Sequence, residues 1–301
     1  MFCFFVILCI SIEYKGEDIR NRVYVNNGDT VFISVCEFSW FSSSLGGCIQ
    51  IDKGHLVLEY STVRNSVSTT GGGAIYIKVG NFNCFGCSFY NCSTKNANGN
   101  FPTGGGNVIL TDKGNVSAES ISMLLCGPST SVSGDGVFHH HYGQCNYKFL
   151  NGSTCLGQAG GSCGGFHYTT SLSSMKFSIH VNGADYCLHD IWSGTFNIIN
   201  NVYFNHTALT NAFFYINKAD LKVENTCMVN NRFENPFSNV YFTPYTLTII
   251  NCYGTVNHAN VNQVIMCTYF PMPQPTKVLT FKISNNHKNS FFVLFVQLLS
   301  L

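Results

Sequence analysis

Apolar residues in this chain come in runs of three to six, each closed by Gly, Asn, Asp or Ser, and no long stretch carries the 3.6-residue period of an amphipathic helix. The segment Thr69–Thr94 shows the pattern most clearly. A glycine turn, Gly71-Gly72-Gly73, opens the run Ala74–Ile77, Gly80 breaks it, and two further short runs end in Phe89-Tyr90-Asn91-Cys92. Glycine reaches backbone angles that other residues resist, and Ile-Tyr-Ile packs well on a pleated surface, so the segment predicts strand, turn, strand, turn.

The same features return at a fixed interval. Gly47 and Gly73 are 26 residues apart, as are Asn65 and Asn91, Asn205 and Asn231, Asn231 and Asn257, and Leu221 and Leu247. With turn insertions allowed, the chain divides into units beginning at Thr30, His55, Asn81, Asn115, Cys145, Ser173, Thr195, Leu221 and Leu247, with Val278–Ser284 as a part-turn. The longest insertion, Lys95–Thr103, has loop composition. Units of this length with three short strands predict an all-β chain folded as a right-handed parallel β-helix, a pectin-lyase-like solenoid, of about nine coils. At ~4.8 Å per coil the rod would be ~43 Å long. Equivalent asparagines would stack and bond through their amides. A leucine-rich repeat fits less well, because leucine is sparse and GGG interrupts the pattern, and a Greek-key sandwich ranks third.

Composition adds an address and removes some functions. Only 10% of the 301 residues are charged and the net charge is +1, which offers no electrostatic footing for nucleic acid. Met1–Ile10 has the length and hydropathy of a signal-peptide h-region, so residues 1–11 are read as a signal peptide, with a buried first strand as the alternative. Sequons at Asn91, Asn115, Asn151 and Asn205 predict N-glycosylation on a secretory route, extracellular or at the cell surface. Residues 12–284 form the repeat domain and 285–301 an apolar tail. The run Ser290–Leu301 is too short to span a bilayer; it reads as a truncated membrane anchor, a lipid-anchor signal with Ser284, Asn285 or Asn286 as acceptor, or a final capping strand.

Side chains suited to chemistry are scattered. Fifteen cysteines include Cys84-x-x-Cys87 and Cys92, but no second CxxC or histidine pair follows at zinc spacing, so disulfides or small buried side chains are expected. On a strand His139 and His141 share one face and His140 the other; a solvent-facing strand is expected there rather than a metal pair. Asp52 and Asp112 sit in matching IDKG and TDKG segments and read as turn residues. The densest polar group is Asp185–Asp190, with His167 and His180 nearby, so Asp185, His189 and Asp190 are where an active site would lie. The stretches GGG at 71 and 104 and Gly160–Gly165 read as coil corners, since none is followed by Lys-Ser or Lys-Thr. No catalytic residue, metal or cofactor is expected.

GGCIQI, GGGAIYI and GGGNVIL resemble the GGA-I/L/V motif of the polymorphic outer-membrane proteins, and Phe89-Tyr90-Asn91, Phe149-Leu150-Asn151 and Phe233-Glu234-Asn235 resemble its Phe-Asn partner, with one residue between instead of two. Repeat proteins on trichomonad surfaces are similar in their Asn, Cys and Phe richness. The resemblance covers about residues 30–277 and implies a surface-exposed, adhesin-like β-helix acting on host-cell glycans or proteins, without catalysis. The rival expectation is a carbohydrate-active enzyme on the same fold, and a third is a divergent gene fragment.

Overall fold

The computed structural model describes residues 11–16, 18–95, 108–128, 136–157, 161–170, 172–181, 184–185, 187–208, 212–229, 231, 235–238 and 246–254. Among these, every regular element is a strand and every strand pairing is parallel. The chain is a parallel β-solenoid. One coil runs from Ile75–Val79 through a corner at Gly80 to Phe82–Phe85, turns at Gly86 into Ser88–Tyr90, turns again at Asn91 and leaves through Ser93–Thr94. Each strand pairs with its equivalents one coil away, as Phe82–Phe85 does with His55–Glu59 on one side and Val116–Leu124 on the other.

The register follows the predicted repeat closely. One continuous ladder joins Glu13, Phe32, Val57, Asn83, Ser117, Asn146, Ser174, Asn197, Lys222 and Thr248. From Phe32 onward, each lies one or two residues past a predicted unit start, so all nine starts fall in register to within one residue. Strand alternation fills the interior. Val31 and Ile33, then Leu56 and Leu58, then Phe82 and Cys84 point inward, while Phe32, Val57 and Asn83 point out.

Corners repeat as faithfully as strands. The residue after the first long face, namely Val35, Tyr60, Gly86, Ser120, Phe149, Phe177, Asn200, Asn225 and Asn251, has positive φ in every coil. At the next corner Asn65 and Asn91 do the same, and the Asn91 amide donates to Asn65 Oδ1 at 2.8 Å, the asparagine stack that the repeat predicts. Gly80 has φ +147°, and a Cβ there would collide with the Gly54 carbonyl oxygen of the coil below.

Several cysteines prove to be corner residues. The thiols of Cys87, Cys92, Cys126 and Cys252 donate to the carbonyl oxygen two residues back at 3.3–3.4 Å, and the hydroxyls of Ser61 and Thr226 do the same at 2.7 and 3.0 Å. A small side chain with one donor closes this turn, whether sulfur or oxygen. Cys36, Cys48, Cys84, Cys87, Cys92, Cys126 and Cys145 are buried and unbridged, so of the two fates foreseen for cysteine these take the buried one. Burial pushes the Cys48 and Cys145 thiols up to about 12.

Three expectations need correction. Gly161–Gly165 is not a corner but the start of the strand Gly161–Thr169; Gly164 is side-chain-free because the Phe166 ring occupies the space. Asn205 and Asn231 are not equivalent, since Phe204 pairs with Val229, which makes this step 25 residues. Asn231 instead donates to Tyr203 O at 3.0 Å and accepts from His206 N at 2.9 Å, closing a corner from above. Asp112 is no turn residue; it lies in the strand Ile109–Lys113 and is buried. Residues 1–10, most of the 95–103 insertion, Gly104–Gly106, the chain beyond Gly254 and the 285–301 tail lie outside the described residues.

Candidate functional site

Two features stand out on the outside of the coil. The first is a polar cluster on the face built from Ile109–Lys113, Phe138–Gly143, Gly161–Thr169, Cys187–Ile199 and Ala212–Glu224. Alternation sends His140 into the core, where its Nδ1 lies 2.7 Å from the Thr111 hydroxyl, and sends His139 and His141 outward. Outward is not exposed here: His139, His141 and His167 are all buried, which overturns the expectation of a solvent-facing strand. His141 Nδ1 lies 3.0 Å from Asp112 Oδ1, and His167 Nε2 lies 3.3 Å from Asp190 Oδ2. Trp192 Nε1 donates to the other Asp190 oxygen at 2.6 Å. The His139 and His167 rings meet edge to face at 4.7 Å, and Tyr142 stacks on Tyr168 at 5.4 Å on the rim.

The arrangement orients two imidazoles by two carboxylates, a pattern able to hold or pass a proton. It differs from the group that the sequence singled out. His189 and Asp190 are neighbours on one strand and therefore face opposite sides. His189 points into the core and shares a 2.7 Å hydrogen bond with the Tyr203 hydroxyl, while Asp190 faces out to His167. His180 is also interior, stacked on Tyr203 at 5.3 Å. Asp185 contributes backbone to a two-stranded ladder with Ala208. His189 and Asp190 therefore form no common site. The Asp112–His141 pair escaped sequence reading, although the coil length was the signal: the two are 29 residues apart, the local repeat step.

The second feature is a set of bulky side chains at two successive positive-φ corners, Val35, Tyr60, Phe149 and Phe177 at the first and Trp40 and Leu125 at the next. Val35, Tyr60 and Trp40 are 56%, 59% and 79% exposed, and Leu125 and Phe177 are also exposed. Their φ values run from 47° to 65°, a region where Gly or Asn is the least strained choice. Phe149 and Phe177 stack at 5.3 Å on consecutive coils, with the Lys148 ammonium 5.0 Å from the Phe149 ring centroid. Tyr60 lies over Gly86, where a Cβ would meet its ring at 2.8 Å, and touches Phe85 edge to face at 5.2 Å. Beside this pair runs a shallow groove of about 140 Å³ lined by Val57, Glu59, Asn83, Phe85, Ser117 and Glu119.

Comparison with protein-family models, curated proteins and solved structures finds no match to this chain. Functional reading therefore rests on these side chains. Of the predicted glycosylation sites, Asn91, Asn115 and Asn205 are exposed at corners and Asn151 is half-buried on the strand Cys145–Ser153. Cys84 and Cys87 face the interior on either side of one corner and Cys92 lies at the next.

Proposed function

We propose that this protein is a non-catalytic β-solenoid of the cell surface or extracellular space, of the adhesin-like kind that its resemblance to polymorphic outer-membrane proteins implies, and that it acts by presenting apolar corner side chains to host-cell glycans or proteins. The observation that carries this reading is the combination of strain and exposure at Val35, Trp40, Tyr60 and Phe177. A bulky side chain at positive φ costs about 1–2 kcal/mol, and the part of it left in solvent recovers no burial energy. Asn serves the corner of Val35, Tyr60 and Phe177 in other coils, at Asn200, Asn225 and Asn251, and the corner of Trp40 at Asn65 and Asn91, so the turn itself does not require the bulky choice. Strained, exposed aromatics are what a binding surface needs.

The test is binding of the purified full chain to intact host cells and to immobilised glycans, compared with the variant Trp40→Asn/Tyr60→Asn/Phe177→Asn. Expected is a loss of binding of tenfold or more with stability unchanged or raised by about 1 kcal/mol per site. Equal binding by the two chains overturns the reading. Enzymatic action on polysaccharide is the alternative, and the paired His167 and Asp190 favour it. Release of reducing ends by the wild type, lost in Asp190→Ala, would replace the binding reading.

A further inference from the structure

The interior of the solenoid changes character along its axis. In the early coils the inward positions hold no imidazole: Val31, Ile33, Leu56, Leu58, Ile75, Ile77 and Phe82 are each at most 1% exposed. From the Phe138–Gly143 strand onward, histidines occupy inward positions. His140 takes the place held by Thr111 one coil below and Phe166 one coil above. His180 takes the place of Gly152 below and Tyr203 above. His189 lies beneath Phe214, its ring stacked on it at 5.7 Å and 8°, and His206 sits at the corner beside Tyr203. All four are buried.

Among the described residues, His140, His180 and His189 face no carboxylate. Around His180 and His189 the interior groups are each other, His206, the Tyr203 phenol, the Cys163 thiol and the rings of Phe166 and Phe214. Around His140 they are the Thr111 hydroxyl inside and His139, His141 and His167 on the far side of the sheet. Asp112 is buried and engaged with His141 on the outer face, as Asp190 is with His167. His141 and His167 have counter-charges at hand; His140, His180 and His189 do not.

We propose that the part of the solenoid from Phe138 to Val229 is an acid-sensitive segment that opens on mild acidification while the coils from Val31 to Tyr90 stay closed. An imidazolium inside an apolar coil lacks both water and a counter-ion, so the segment takes up the proton by unfolding locally. Neighbouring coils in a solenoid contact only each other, which lets one stretch open without the rest. Burial pushes His140 down to about 4 and His189 to about 3, and lowers His180 as well. A depressed histidine binds its proton more readily in the open state. Its contribution to stability is whole above the unfolded value of about 6.5 and is lost as pH falls from there toward the folded values.

Hydrogen–deuterium exchange of the full chain at pH 7.5 and 5.0, each corrected for intrinsic exchange, tests this. Protection in peptides from 138–229 should fall by about 30-fold or more, roughly tenfold per pH unit below 6.5 for each interior histidine, while peptides from 31–90 change less than about threefold. An equal fall in both regions, or none in either, overturns the proposal. His180→Gln/His189→Gln keeps hydrogen-bonding side chains that do not titrate. If this variant folds at pH 7.5 and loses protection at pH 5.0 as fully as the wild type, the interior histidines are not the sensors. If it fails to fold, the wild-type comparison still decides.

Discussion

Gly80 and Tyr60 show how the same backbone demand is met in two ways. Both stand at corners with positive φ, but Gly80 lies against the Gly54 carbonyl of the coil below, where no Cβ fits, whereas Tyr60 turns its side chain to solvent. Gly80→Ala should therefore destabilise the chain by about 2 kcal/mol or more in urea unfolding, through both strain and collision. A loss under about 0.5 kcal/mol would mean that the corner relaxes freely. At this scale the asparagine stack at Asn65 and Asn91 was legible, because period alone aligns the two residues and amides bond to amides. The burial of His139 and His141 was not. Alternation tells which way a side chain points, and only the surrounding chain tells whether water reaches it.

At the scale of strands and corners, alternation decides which polar residues can meet. It places His189 and Asp190 on opposite faces of one sheet and gives Asp190 to His167, its neighbour one coil below. Proximity in sequence misled here, because a shared strand separates consecutive side chains while a 25-residue step brings distant ones together. Corners explain the cysteines in the same way: the thiol is used as a short donor to the carbonyl two residues back, interchangeable with Ser and Thr. Buried thiols with raised pKa react slowly. In the native chain at pH 8, iodoacetamide should leave Cys48 and Cys145 unlabelled over a period in which the urea-unfolded chain is labelled fully, read by peptide mass spectrometry. Rapid native labelling would contradict their burial.

On the scale of the whole molecule, each coil is supported by the coils above and below it. Phe196 stacks on Phe166 at 4.4 Å across one coil step, and both are fully buried. Phe196→Ala should cost about 3–5 kcal/mol, and in exchange measurements the lost protection should centre on 161–229 and leave 31–64 nearly unchanged. Uniform loss along the chain would indicate a single cooperative unit. The division into a histidine-free and a histidine-lined interior belongs to this scale too, since it follows from which inward positions each coil offers.

By itself the sequence determined the architecture. Short apolar runs exclude long helices, a repeat near 26 residues matches one turn of a parallel coil, and the unit starts agree with the observed ladder to within one residue. These properties are local and periodic, so a one-dimensional reading suffices. Tertiary structure alone decided that Asp112 meets His141, that His139 and His141 are closed to water, that the thiols serve as corner donors, and that strained aromatics stand exposed along the corners. The physical reason is the geometry of stacking. The residues that touch lie one coil apart, at a spacing that insertions change from turn to turn, and their burial depends on every coil around them.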